Sequence, residues 1–149
     1  MNLSTLQIYD FLHEHEDTKD VFSDCIPCDA IPAPHRYPCA FVVNTEPSGM
    51  KGKHWIAIYV VSPTVAEYFD TSGRKPEGLI KQYLGRFITV RDNDVPIQSP
   101  VTDVCGAHCI YFVVERCKGL TFDEIVESLD TCTEADLMVC CYFFGIYQT

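Results

Sequence analysis

Residues 103–118 (DVCGAHCIYFVVERCK) are apolar on nearly every side, and Gly119 follows in the position that closes helices. A helix without a polar face cannot lie on a surface, so the rest of the chain must wrap it. With 149 residues there is room for one hydrophobic core and no sign of a second, so residues 1–149 read as a single domain built around this helix. Hydrophobic residues make up 47% and charged residues 21%, a globular balance and not a disordered one.

The elements around that helix follow from local pattern. Ser4 and the apolar spacing of Leu6, Ile8, Tyr9, Phe11 and Leu12 predict a helix over 4–15 with Ser4 as its N-cap. Residues 24–38, dense in proline, read as loop. Residues 39–44 (CAFVVN) and 54–61 (HWIAIYVV) read as buried strands, and 65–69 as an antiparallel return after the turn at Ser62-Pro63. A short helix over 77–84 and a strand over 87–91 follow. Thr121 and Glu124 form a capping box that opens a helix to about residue 129, and Thr133 to Asp136 open a last one to about 144. In that last helix Leu137, Cys140, Cys141 and Phe144 share a face and are assigned to the core. Strands in the middle and helices at both ends make an α+β layout, a central, mostly antiparallel sheet packed by helices.

Composition excludes several function classes. No stretch approaches the length of a membrane span, and Met1-Asn2-Leu3-Ser4 has neither basic region nor apolar signal core, so the expectation is an intracellular, non-secreted protein without a membrane partner. The net charge of −10 makes nucleic acid an unlikely partner, although Lys51, Lys53, Arg74 and Lys75 are close in sequence to His54 and Asp70. Nine cysteines in a reducing compartment are expected to be mainly packed thiols. Cys25 and Cys28 form a CxxC, but no second pair stands at finger spacing, so a disulfide or two packed thiols is preferred to zinc. Tyr37, Tyr59, Tyr68 and Tyr111 are assigned to the core or to a cleft wall.

One order of residues carries chemistry: His54-Trp55, Asp70, Gln98, Cys105-Gly106. A cysteine nucleophile needs a base, a group that orients the base, and donors for the oxyanion on the attacked carbonyl. Cys105 opens the buried helix, where a thiolate faces the positive end of the helix dipole. Gly106 leaves room for a carbonyl to approach the Cys105 N–H. The amide of Gln98 can complete an oxyanion hole. His54 opens one strand and Asp70 closes the next, so a hairpin brings them to one edge of the sheet. Trp55 points to the opposite face and packs, with a role as one wall of a substrate cleft. Each residue taken singly has a structural explanation: a strand-end histidine, a turn aspartate, a packed thiol, a loop glutamine. His108 is set aside as base, since a neighbour on the same helix is poorly placed to face a thiol at its N-terminus. The combination and order of the four are what point to catalysis.

From Cys39 to Gly119, roughly half of the chain, the sequence resembles the adenovirus-type cysteine endopeptidases (adenains), and most of all their relatives in Polinton/Maverick-type elements and related viruses. It is more distantly similar to the proteases that process SUMO and other ubiquitin-like modifiers. Three blocks carry the likeness: Cys39-Ala-Phe-Val-Val-Asn44 with His54-Trp55-Ile-Ala, Tyr68-Phe-Asp-Thr-Ser-Gly73 with Pro76, and Gln98 separated by six intervening residues from Cys105-Gly106, with Cys109 one turn on. The resemblance implies a papain-like fold in rearranged order, histidine before cysteine, with His54 as general base, Asp70 its partner, Gln98 the oxyanion donor and Cys105 the nucleophile. No metal or cofactor is expected. The resemblance implies a cysteine endopeptidase acting through an acyl-enzyme on a polypeptide substrate, namely capsid precursors of a virus or mobile element cut near Gly-Gly-type sites, in host cytoplasm, nucleus or virion. The adenoviral enzymes carry Glu at the position of Asp70, whereas the ubiquitin-like-modifier branch carries Asp. They are activated by a small viral peptide and by DNA; a peptide activator stays open here, and the charge argues against DNA. The rival readings are a deconjugating protease for a ubiquitin-like modifier, a non-catalytic binding module on the same fold, and an acyltransferase dependent on acetyl-coenzyme A.

Overall fold

The computed structural model describes residues 3–49, 54–97 and 104–147, with side chains to residue 141. Ten elements follow one another: α1 (Thr5–Glu14), β1 (Phe22–Pro27), β2 (Cys39–Asn44), β3 (Trp55–Ser62), β4 (Val65–Phe69), α2 (Gly78–Leu84), β5 (Thr89–Asp92), α3 (Cys105–Cys117), α4 (Phe122–Asp130) and α5 (Ala135–Tyr147). The strands form one sheet in sequence order. The pairings β2–β3 and β3–β4 are antiparallel, while the outer pairings β1–β2 and β4–β5 are parallel. The antiparallel character expected of the sheet thus holds for its centre.

β2 and β3 read as continuous apolar runs because both faces of the sheet are covered. Alternate residues divide between two cores. Ala40, Val42, Trp55, Ala57, Tyr59 and Phe69 face a layer built from α1, α3, α4 and α5. Phe41, Val43, Ile56, Ile58, Val60 and Tyr68 face α2, through Ile80, Tyr83 and Leu84. α3 is the centre of the larger layer: every residue from Cys105 to Ile110, with Phe112, Val113 and Val114, is buried. The Phe112 ring stacks on Phe69 of β4 at 4.7 Å and meets Phe122 of α4 edge-on. Gly119 closes α3 at φ +109°, and the Leu120 N–H reaches back to the Glu115 carbonyl. Capping boxes form at Ser4 with Gln7 and at Thr121 with Glu124.

Three expectations need correction. The stretch assigned to loop, 24–38, begins inside β1, whose pairing with β2 shifts register between Phe22 and Asp24. Its burial does not alternate, and Pro27 occupies its last position, so neither strand periodicity nor composition announces it. Of the described α5 side chains Ala135 and Val139 are buried, whereas Leu137 is 58% exposed and Cys141 is exposed; Phe144 lies outside the described side chains. A helix apolar all round gives periodicity nothing to choose between. Tyr37 is exposed, whereas Tyr59 and Tyr68 are buried as expected.

An ion pair ties the end of α3 to the sheet. Arg116 Nε and Nη2 donate to Glu67 Oε1 and Oε2 at 2.8 and 2.9 Å, its guanidinium lies over Tyr59 at 4.6 Å, and Nη1 donates to the Leu120 carbonyl. Glu67 is 3% exposed. Removing one partner of a buried pair strands the other charge, which costs about 3–5 kcal/mol. Glu67→Ala is therefore expected to lower unfolding free energy by that amount in urea titrations with an unchanged denaturant slope; a loss below about 1 kcal/mol, the scale of an exposed pair, contradicts this.

Candidate active site

The β3–β4 hairpin builds the first half of the site. Ala57 pairs with Phe69, so the residue before β3 and the residue after β4 emerge at the same end of the sheet. These are His54 and Asp70. The Thr45 N–H donates to the His54 carbonyl at 2.9 Å, which fixes the start of the strand. The His54 Nε2–H then donates to Asp70 Oδ1 at 2.7 Å.

Asp70 is 4% exposed and well supplied with donors. Oδ1 also accepts from the Ser72 N–H at 2.9 Å and the Ser72 hydroxyl at 2.7 Å, and the Tyr68 hydroxyl donates to Oδ2 at 3.4 Å. Burial by itself would raise its pKa; the bonds from His54 and Ser72 outweigh burial and hold the carboxyl below its usual range. The same contacts act in the opposite sense on the Tyr68 hydroxyl, whose burial next to that charge pushes it far up.

α3 brings the third group. Cys105 begins this helix, which lies against β3, and the Trp55 N–H points at its Sγ from 3.4 Å. Cys105 is also among the groups that favour the charged form of the His54 ring. Burial alone would lower the His54 pKa, but the interactions with Asp70 and Cys105 together raise it to about 9. Val104, the N-cap, has no polar side chain to occupy the first-turn N–H groups of α3. An imidazole held by a buried carboxylate and a sulfur at a helix start that accepts from the Trp55 N–H can support nucleophilic attack on a carbonyl.

The remaining residues singled out in the sequence fall as follows. Trp55 is 7% exposed; its indole Nε1–H donates to the Leu3 carbonyl at 3.2 Å. A Cβ on Gly106 would meet Ile8 Cδ1 and Leu3 Cβ at 3.3 Å and Trp55 Cδ1 at 3.4 Å. The packing of α3 against the N-terminal segment thus supplies a reason for glycine next to Cys105. Gln98, with Lys51 and Lys53, lies outside the described residues. Ile97 immediately before Gln98 is anchored by its N–H to the Thr71 carbonyl at 2.7 Å. Lys75 is engaged by Asp92 at 3.0 Å. His108 is fully buried and bonds Asp136 Oδ1 at 2.8 Å, fastening α3 to α5; burial lowers its pKa in spite of that carboxylate. Cys25 and Cys28 are buried free thiols, Cys28 donating to the Thr45 carbonyl and Cys25 pushed by burial up to about 12. Among the described residues no group of three or more His, Cys, Asp or Glu is placed to hold a metal ion.

Sequence reasoning gave Ser72 and Asn93 no part around Asp70, and Tyr68 only a place in the core or a cleft wall. Ser72 was legible in principle, because Asp-Thr-Ser is a favourable setting for an Asx-turn in which the carboxylate accepts from the N–H two residues on. Asn93 sits between two aspartates and reads as an ordinary turn residue; nothing local distinguishes it.

No family model and no curated protein matches the chain. Solved structures do. The chain superposes on the crystal structure of the ASFV pS273R protease with a TM-score of 0.64 at 16% identity, covering 93% of this chain and 64% of that one. It also superposes on the central domain of the uncharacterized Lpg1148 protein from Legionella pneumophila, with a TM-score of 0.52 at 17% identity over 86% of this chain and 87% of that domain. The chain therefore spans somewhat less than two thirds of the viral protease's length, and at these identities the likeness is one of fold. No helix among the described residues is long and apolar enough to cross a membrane. The architecture is an α+β, papain-like fold shared with the ASFV pS273R protease.

Proposed function

We propose that this chain is a cysteine endopeptidase that hydrolyses peptide bonds through an acyl-enzyme on Cys105. The observation that carries the reading is the His54 ring, bonded through Nε2 to a buried carboxylate, while the N–H of the next residue, Trp55, reaches the Cys105 sulfur at 3.4 Å. The Cys105 thiolate attacks the scissile carbonyl, and the His54 imidazolium gives its proton to the leaving amine. Water then attacks the thioester, with His54 accepting a proton, and the acid product and free thiol are released. Asp70 keeps the ring oriented and stabilises its charged form. Gln98 and the α3 N-terminus serve as donors to the oxyanion, and Trp55 and Gly106 border the substrate channel. The substrates we assign are capsid-type precursors of a virus or mobile element, cut near Gly-Gly and processed within the host cell or virion.

The test is hydrolysis by the purified chain of extended peptides carrying a Gly-Gly site, run beside carboxy-terminal probes of ubiquitin-like modifiers and an acetyl-coenzyme A control. Cys105-dependent cleavage of the peptides is expected. Turnover of the modifier probes alone would make the chain a deconjugating protease, acetyl transfer would make it an acyltransferase, and silence on all three would leave a binding module.

Gln98→Ala is expected to lower kcat by roughly 10²–10³-fold, since an oxyanion donor acts mainly in the transition state. A change confined to KM would remove Gln98 from that role. Asp70→Asn should cost less than loss of His54, because the carboxylate orients and does not react.

A further inference from the structure

Behind Asp70 lies a residue that the mechanism above does not use. Asn93, directly after β5, is 3% exposed, a depth at which an amide side chain needs partners for both its ends. It finds them on the main chain of Asp70. The Asp70 N–H donates to Asn93 Oδ1 at 2.8 Å, and Asn93 Nδ2 donates to the Asp70 carbonyl at 2.5 Å and to the Val95 carbonyl at 3.2 Å. The side chain thus continues the β4–β5 ladder by one step past Tyr68 paired with Asp92, the last residue pair of the two strands.

The adjoining contacts are equally close. Ile97 N–H donates to the Thr71 carbonyl at 2.7 Å. Gly73 has φ +73°, and a Cβ there would lie 2.7 Å from Pro96 N and 2.8 Å from Val95 C. The 70–73 turn and the 93–97 segment are therefore seated on each other, with Asn93 as the only side chain in this seam that bonds the Asp70 main chain at both N–H and carbonyl among the described residues. Side-chain bonds from Ser72, Tyr68 and His54 act on the carboxylate itself, but they cannot set where its Cα stands.

We propose that Asn93 is a positioning residue for the histidine–carboxylate pair: by clamping the Asp70 backbone from both sides it sets the distance and direction of the carboxylate from His54 Nε2. The proposal rests on the peptidase reading for its effect on turnover, but its effect on His54 does not depend on that reading. The groups that face His54 are Asp70 and Cys105, and those that face the Asp70 carboxylate are His54, Ser72 and Tyr68; Asn93 touches none of their titrating atoms. A change in His54 on replacing Asn93 must pass through the position of Asp70.

The experiment compares Asn93→Ala and Asn93→Gln with the unaltered chain by NMR titration of the His54 ring, together with kcat and KM on a Gly-Gly peptide in Asp70 and Asp70→Asn backgrounds. Asn93→Gln keeps both amide groups one methylene out of place and serves should the alanine variant not fold. The expected result is a His54 midpoint roughly one pH unit lower, because an opposite charge acts strongly only within about 4–6 Å. It is joined by a kcat roughly 10-fold lower with KM within about threefold, the signature of misplaced catalytic groups. In the Asp70→Asn background the loss from Asn93 should shrink below about threefold, since residues acting through one another are not additive. An unchanged His54 midpoint overturns the proposal, as does a loss of the same size in both backgrounds. If the unaltered chain shows no Cys105-dependent turnover, the peptidase reading falls and the titration alone decides for or against Asn93.

Discussion

Cys105→Ala is expected to abolish peptide-bond hydrolysis, lowering kcat by roughly 10⁴-fold or more while the protein stays folded. The buried thiols are poor substitutes. Cys109, one turn further along α3, is fully buried, and that burial raises it well above the ordinary thiol range. Cys25 and Cys117 are pushed up to about 12 and about 11 by burial, and Cys28, Cys39 and Cys140 are raised for the same principal reason. None of these has a histidine beside it in the way that Cys105 has His54. The fold survives because Cys105 contributes little volume, and Trp55, Leu3 and Ile8 continue to pack on Gly106. The check is steady-state hydrolysis with thermal unfolding of the same sample. Activity within tenfold of the original would exclude Cys105 as nucleophile, and loss of the folded transition would mean the measurement spoke to stability.

His54→Ala is expected to cost nearly as much, roughly 10⁴-fold in kcat, since the ring both holds the thiolate and protonates the leaving amine. Asp70 keeps its bonds from Ser72 and Tyr68, so the turn should persist. The ring also sets a pH signature. The active form carries the imidazolium, and the His54 pKa lies at about 9, so kcat/KM should fall on the alkaline side with a midpoint near that value. Stability follows the same sign. A histidine raised from 6.5 to about 9 in the folded state contributes fully below pH 6.5, and the contribution is lost as pH rises through about 9. Asp70 works from the other side: its lowered pKa stabilises the fold above the ordinary carboxyl range, and that contribution disappears as pH falls through the folded value. In His54→Ala the alkaline loss of stability should be smaller than in the unaltered protein. An equal slope from pH 6.5 to 9 in both would mean that His54 is not charged in the fold.

The elements legible in the sequence were those with their own local signature. α3 announces itself because a helix with no polar face has one place to go, and Gly119 marks its end. The β3–β4 hairpin follows from two apolar runs around Ser62-Pro63, and its register dictates that His54 and Asp70 meet. The approach of Cys105 is different in kind. It requires α3 to pack across the start of β3, a long-range event that no window of sequence contains; the order of the four residue types pointed there, and the resemblance to a protease family added to it. β1 escaped notice because its stability comes from pairing with β2, not from its own pattern. Asn93 and the buried face of α5 were hidden for related reasons: a buried polar clamp looks like a turn residue, and a uniformly apolar helix has no readable face.

The central claim is that Cys105 is the reactive thiol and that His54 activates it. Intact-protein mass spectrometry after stoichiometric iodoacetamide at mildly acidic pH tests it directly, with peptide mapping to locate the label. Cys141, the exposed thiol, is the natural competitor. The account predicts that the first label falls on Cys105 in spite of its 8% exposure, and that this preference vanishes in His54→Ala. A label that goes first to Cys141, with Cys105 no faster than the other thiols, would contradict it.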